Sequence, residues 1–346
     1  MPLAAHKKLA AFTIALSLLA TMSACSLTNR DAKTDSSSVS QKKDDVTIGL
    51  TYVPDIQFAP LYVAKEKGYF DQQGLNVTLR HHGAQESLLG ALAAGDEDIT
   101  FAGGDEMMQA RSTGIDVVNW ATMYQQYPAT LITPKSSGIT SWEQMAGKKI
   151  GLPGPYGENY YGLLAALKRH GLEDKVTQSF IGYTQTAALK DGEVDAVIGF
   201  ANSDVIALEN AGIEVTTIPL SDEELPLVGV GFGSMASRIN EDVYARFLVA
   251  VQQGVETAAN DIEGTVDIAA QYVPALKNDP AQRELAQKVL QATLKLYQGN
   301  KVFGAQNPMQ WENMAAFMLE QKLIEHAVDP HTAFTQNIVN AAQKMK

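Results

Sequence analysis

Two segments of this chain echo each other, and the echo constrains the fold more than any other feature. Residues 91–101 read ALAAGDEDITF and residues 188–198 read ALKDGEVDAVI, with Ala-Leu, Gly and Asp at matching positions. Upstream of each lies an apolar stretch ending in Ile-Gly-Leu (Ile48-Gly49-Leu50, Ile150-Gly151-Leu152), then a loop, a helical pattern and a Gly-Leu pair (Gly74-Leu75, Gly171-Leu172). Gly95 and Gly192 stand where a glycine ends a helix, and Asp98 and Asp195 precede apolar strands. Two such matches in the same order predict two α/β units of like topology. Alternating strands and helices predict mainly parallel sheets with helices on both faces. Ligands of such sheets bind beyond the carboxyl ends of the strands, so two facing units make a cleft.

The expected organisation has four parts. Residues 1–24 read as a signal peptide: His6, Lys7 and Lys8 precede an apolar run from Leu9 to Met22, too short for a membrane span. Residues 25–45 read as a polar tether. Lobe 1 is expected over 46–130 plus 230–346, and lobe 2 over 131–229, with PLVGVGFGSM (226–235) as the return strand. Asn240, then Asp279-Pro280 and Asn307-Pro308, open three C-terminal helices. All three are expected on the first lobe, their Met and aromatic residues serving as core.

The small residues Ser23-Ala24 before Cys25, the only cysteine, resemble a bacterial lipobox. That resemblance implies a lipid on Cys25 and a body held at the outer face of the cell membrane. One cysteine excludes a disulfide within the chain. Loss of residues 1–24 would shift the net charge from −12 to −14, which disfavours nucleic acid and anionic lipid as partners.

The loops expected to follow strands are YVPDIQF (52–58), GAQES (83–87), AGGDEM (102–107), MYQQYP (123–128), PGPYGENY (153–160), GYTQT (182–186) and FANSD (200–204). None holds Lys or Arg; they are rich in Tyr, amides and acids. Such a mouth suits a neutral or cationic flat ring better than an anion, which carboxylates repel and which Arg forks normally meet. The candidate ligand-binding residues are Gln57, Phe58, Gly104, Asp105, Glu106, Tyr124, Tyr127, Tyr156, Glu158, Asn159, Tyr160, Tyr183 and Asn202. Each has a plainer reading. Asp105 fits an N-cap, Glu106 and Glu158 fit first-turn acids favoured by the helix dipole, and Asp204 fits a solvated helix start.

The segments YVPDIQFAPLYVAKEKGYFDQQGLNV, PGPYGENYYGLLAAL, GYTQTAALKDGEVDAVIGFANSD and NPMQWENMAAFMLEQKLI resemble the substrate-binding proteins of ABC importers in the family related to thiamine-pyrimidine synthase. The resemblance implies a two-lobed periplasmic-binding-protein fold of the second topological type, docking on a permease with its ATPase. It also implies ring-binding loops around Gln57, Gly104 to Glu106, Tyr124, Tyr156 and Tyr183. The implied ligand is a thiamine pyrimidine precursor or a riboflavin-like molecule. Tyr52 stands before Pro54 where pyrimidine binders often carry Trp, and Gln57-Phe58 follow where they carry His, so both ligands stay open. The alternative is a nitrate-, sulfonate- or taurine-type binder, which would need a basic residue in the cleft. Catalysis is not expected, and neither cofactor nor metal: there is no Walker motif, HExxH, nucleophile elbow or dinucleotide fingerprint. His81-His82 reads as a polar strand end.

Overall fold

The computed structural model describes residues 43–83, 86–220 and 226–345. The expected signal peptide, Cys25 and nearly all of the tether lie outside the described residues. Ten strands form two five-stranded sheets. The first contains β1 (Asp44–Leu50), β2 (Leu75–His81), β3 (Ile99–Gly103), β4 (Val117–Thr122) and β10 (Val230–Met235), in the order β2-β1-β3-β10-β4. The second contains β5 (Ala129–Pro134), β6 (Lys149–Leu152), β7 (Thr177–Phe180), β8 (Ala196–Phe200) and β9 (Val215–Pro219), in the order β7-β6-β8-β5-β9.

Both sheets follow one plan. Three strands pair in parallel about a central one, and a strand entering from the other sheet's stretch of chain runs antiparallel to both its neighbours. Four of the five strands in each sheet therefore share a direction, and β10 or β5 opposes them. The repeated Asp has the same task twice. Asp98 Oδ2 accepts from Thr47 N at 2.8 Å, and Asp195 Oδ2 accepts from Lys149 N at 2.8 Å. Each ties the start of β3 or β8 to its parallel neighbour, at the middle of β1 (Thr47) and at the first residue of β6 (Lys149). Gly95 (φ 92°) and Gly192 (φ 71°) adopt the left-handed conformation that lets the preceding helix stop. β1 begins two residues ahead of the expected Val46, because Asp44 and Asp45 pair with Leu75 and Asn76.

The C-terminal helices start at the expected caps. Asn240 accepts from Val243 N, Asp279 from Ala281 N and Gln282 N, and Asn307 from Gln310 N. Helices Glu241–Asn260 and Pro280–Leu296 pack on the first sheet, in a core with Ile48, Phe101, Trp120 and Phe232. The third helix, Pro308–Glu320, departs from expectation. Its Trp311, Met314 and Met318 are buried in the second core with Leu131, Ile150, Leu163 and Ile198. Trp311 Nε1 donates to Gln306 Oε1 (2.9 Å), and Gln306 in turn bonds Asn119 and Thr122 of β4. An apolar stripe specifies burial but not the surface that receives it, so the sequence left this helix's partner undetermined. No helix among the described residues is long and apolar enough to cross a membrane.

Candidate functional site

A cavity of about 300 Å³ lies at the carboxyl ends of the parallel strands. The loop after β1 supplies Thr51, Tyr52, Asp55, Gln57 and Phe58; β3 and the helix Gly104–Ser112 supply Phe101, Ala102 and Glu106; Tyr124 follows β4. The loops of the second sheet supply Pro153, Tyr156, Gly157, Glu158 and Asn159 after β6, Tyr183 and Gln185 after β7, and Phe200, Ser203 and Asp204 around the end of β8. Leu88, Val230, Ala207, Leu285 and Val289 complete the lining. None of these residues is Lys, Arg or His.

The aromatic content is ordered. Tyr52 meets Tyr183 edge to face, with ring centroids 4.7 Å apart, bridging a loop of the first sheet to one of the second. Tyr183 is 37% exposed, which puts this pair at the mouth. Phe58 and Tyr124 both lie edge-on to Phe101 deeper in. The Tyr156 ring lies over the backbone of Gly154, where a Cβ would come within 2.9 Å of Tyr156 Cδ1. Only glycine leaves that space.

Three acidic side chains converge on Gly103. A Cβ there would lie 2.8 Å from Glu158 Cγ and 3.1 Å from Glu106 Oε2, and closer still to Asp105 Oδ1. Glu106 Oε2 accepts from Gly103 N at 2.6 Å, and Asp105 Oδ1 accepts from Glu106 N at 2.8 Å. The Tyr127 hydroxyl donates to Asp105 Oδ2 at 2.6 Å and lies 2.9 Å from the Glu158 carbonyl. Burial pushes Asp105 up to about 6, against its hydrogen bonds from Tyr127 and Glu106. Burial and then the charge of Asp105 push Glu106 up to about 8. Glu158, 3% exposed, is held well above the usual carboxylate range by burial first and by Asp105 and Glu106 after it. Its two carboxyl oxygens have no hydrogen-bond partner among the described residues, nor do Tyr124 Oη and Asn159 Oδ1. All three residues line the cavity. A neutral Glu158 offers an O–H donor beside a C=O acceptor.

Of the sequence candidates, Gln57, Phe58, Glu106, Tyr124, Tyr156, Glu158, Asn159 and Tyr183 line the cavity. Five do not. Gly104 gives its N–H to the Val228 and Gly229 carbonyls and is packed so closely on Val228 that a Cβ would fall 2.7 Å from it. Asp105 and Tyr127 stand behind the wall, bonded to each other; the helix begins at Gly104, so Asp105 is a buried first-turn residue and not its N-cap. Tyr160 packs on Tyr161 and Phe180. Asn202 is buried and donates to Thr293 Oγ1 at 2.8 Å, tying the loop after β8 to the helix Pro280–Leu296. Asp204, read as solvated, lines the cavity, accepts from Phe200 N at 2.7 Å and is pushed up to about 6 by burial. Asp55 also lines it, with its carboxyl raised by burial. The signal available for both was their place just after a strand, the same signal that marked Glu158. His81 and His82 do not line the cavity: His81 bonds the Tyr62 hydroxyl and Tyr52 O, and His82 bonds Glu97.

These two sheets with exchanged antiparallel strands make a periplasmic-binding-protein fold of the second topological type. The alkanesulfonate-binding protein SsuA from Xanthomonas axonopodis pv. citri, solved bound to MOPS, superposes with a TM-score of 0.65 at 21% identity, covering 85% of this chain and 99% of that one. Residues 55–264, more than half of the chain, match the family described as NMT1/THI5 like, and the protein belongs to that family. The riboflavin-binding protein RibY of Chloroflexus aurantiacus is 31% identical over 303 residues, 85% of this chain and 86% of RibY. A 4-amino-5-hydroxymethyl-2-methylpyrimidine phosphate synthase of Legionella pneumophila is 22% identical over 311 residues, 87% of this chain and 94% of the synthase.

Proposed function

We propose that this protein is the solute-binding component of an ABC importer, that it captures a flat, uncharged heteroaromatic molecule in the cavity, and that a riboflavin-like ring is its ligand. One observation carries the reading: a buried Glu158 carboxyl without a partner among the described residues lines a cavity walled by phenol and phenyl rings, and none of the described lining residues is cationic. A neutral carboxyl pairs side by side with a ring edge carrying adjacent N–H and C=O groups, while Tyr124 and Asn159 meet further polar atoms. The rings stack on the faces, each worth about 0.5–1.5 kcal/mol beyond area burial. The likeness to RibY supports a flavin. A thiamine pyrimidine precursor presents the same kind of edge and is the second reading, supported by the family match.

A sulfonate, taurine or nitrate ligand fits poorly. It would find no basic residue among the described lining residues to offset its charge, and Asp204, which has lost most of its proton by neutral pH, would repel it. Schiff-base or thiol catalysis fits poorly too: among the described residues the lining offers no Lys and no Cys. In the proposed cycle the two sheets act as lobes. The first sheet, with the helices packed on it, turns against the second sheet and the helix Pro308–Glu320 about the connections near 127–133 and 228–233. A lipid on Cys25 would hold the protein at the outer face of the cell membrane beside its permease; Cys25→Ser should then release it from the membrane fraction.

The test is a titration of the purified protein with riboflavin, thiamine, its pyrimidine precursors, sulfonates and nitrate, followed by thermal shift and flavin fluorescence. Riboflavin is expected to bind at micromolar to nanomolar Kd and to raise stability by about 2.7 kcal/mol at a hundredfold excess over Kd. A response confined to sulfonates or nitrate would reject the ring reading.

A further inference from the structure

A second groove, of about 430 Å³, adjoins the cavity, and Leu88, Glu106 and Tyr156 line both. We propose that this groove is the second compartment of the same site and that the ligand is a flat ring bearing an uncharged, hydroxyl-rich chain. The inference rests on the ring-binding reading above and specifies what hangs from the ring.

The two compartments differ in chemistry. The cavity is walled by aromatic rings. The groove has a short apolar floor of Leu89, Ala110 and Ile115, and its polar rim comes from Glu86, Ser87, Gln109, Thr113 and Tyr161. That rim mixes donors and acceptors. The Thr113 hydroxyl already donates to Ala110 O at 2.9 Å, so toward the groove it accepts; the Gln109 amide can do either. A chain of hydroxyls, each both donor and acceptor, satisfies such a rim at any register, whereas an alkyl chain would leave it unpaired.

An anionic end is excluded by charge. None of the groove's lining residues is Lys, Arg or His. The neighbouring cation, Arg80, is held by Glu86 at 2.5 Å and by Glu97 at 2.6 Å and does not line the groove. Arg111, at the far end of the same helix as Glu106, is paired with Asp116 at 2.5 Å. A phosphate would meet the Glu86 carboxylate, with no free cation among the described lining residues. The joint between the compartments is Tyr156, whose ring rests on Gly154, so a ring stacked beside it can send a chain past its edge into the groove.

The experiment measures the affinity of the purified full-length protein for riboflavin, for lumichrome (the ring without its chain) and for flavin mononucleotide (the chain ending in phosphate). It is repeated on Gln109→Leu and Thr113→Val, rim substitutions that leave the aromatic cavity untouched. The expected result is riboflavin tighter than lumichrome by about tenfold or more, as two or more neutral hydrogen bonds supply. Flavin mononucleotide should be weaker than riboflavin by about tenfold or more, from like charges placed together. Each variant should weaken riboflavin by about three- to tenfold and leave lumichrome unchanged. Equal affinity for riboflavin and lumichrome, or variants that weaken both alike, would overturn the chain compartment and leave the ring reading standing. Flavin mononucleotide binding as tightly as riboflavin would overturn the uncharged chain. Binding of neither riboflavin nor lumichrome would overturn the flavin reading and the compartment with it.

Discussion

Stability of the ligand-free protein should fall as pH rises from 6.5 to 8.5. Burial, with the charge of Asp105 second, lifts Glu106 to about 8, so the folded protein keeps a proton there that an unfolded chain, with glutamate near 4.5, has already released. The folded state then binds more protons than the unfolded one, and the slope of stability against pH is negative, at most about 1.4 kcal/mol per pH unit for each proton. Across the window Glu106 alone contributes a loss of about 2 kcal/mol. Glu158, which burial also holds well above the usual carboxylate range, adds to it with the same sign, so the total loss is about 2 kcal/mol or more. At roughly 2 °C per kcal/mol for a chain of this size, Tm drops by about 4 °C or more. Asp105 and Asp204, lifted to about 6, have given up most of their protons by 6.5. His81, which burial holds below its ordinary value, works in the opposite sense only at the low end of the window. The control is Glu158→Gln, which keeps the shape and removes one titrating group while burial and Asp105 still raise Glu106. Its slope should be shallower than the parent's, and it should be more stable than the parent at pH 8.5. The assay is a series of thermal melts at constant ionic strength. A parent Tm that is flat or rises across the window, or a variant that keeps the full slope, would show that the three acids are not buried together as described.

Other outcomes follow from single contacts. Gly154→Ala puts a methyl into the Tyr156 ring, so the ring must leave the cavity wall; ligand affinity should fall by about tenfold, the worth of one stacked ring, with little change in Tm. Tyr127→Phe removes the donor 2.6 Å from buried Asp105 and should cost about 1–3 kcal/mol in urea unfolding at neutral pH; less loss at pH 5, where Asp105 is protonated, would confirm that the bond serves the ionised form. Trp311→Ala empties the centre of the second core and should cost about 3–5 kcal/mol. A loss below 1 kcal/mol would place the helix Pro308–Glu320 on the surface instead.

Much of this protein is written locally in its chain. Asp98 and Asp195 each reach the backbone of a neighbouring strand in the same way, and the repeated sequence showed that symmetry before any coordinates did. Asn240, Asp279 and Asn307 cap their helices because a side-chain oxygen there reaches backbone N–H groups two or three residues on. The lack of Lys and Arg in the strand-following loops carried over directly into the lining of the cavity. Such features depend on residues close along the chain, or on composition, and neither needs a fold to be read. Which side of a loop faces the cavity was a different matter. Asp105 and Tyr127 turned behind the wall, Asn202 turned toward Thr293, and Asp204 turned inward, each choice set by a partner far away in sequence. The meeting of Glu106 and Glu158 at Gly103 joins the two halves of the chain, and only the packing of the helices Gly104–Ser112 and Gly157–Arg169 brings it about. Burial is what turns those ordinary first-turn acids into neutral hydrogen-bonding groups, and burial is a property of the assembled fold rather than of any segment.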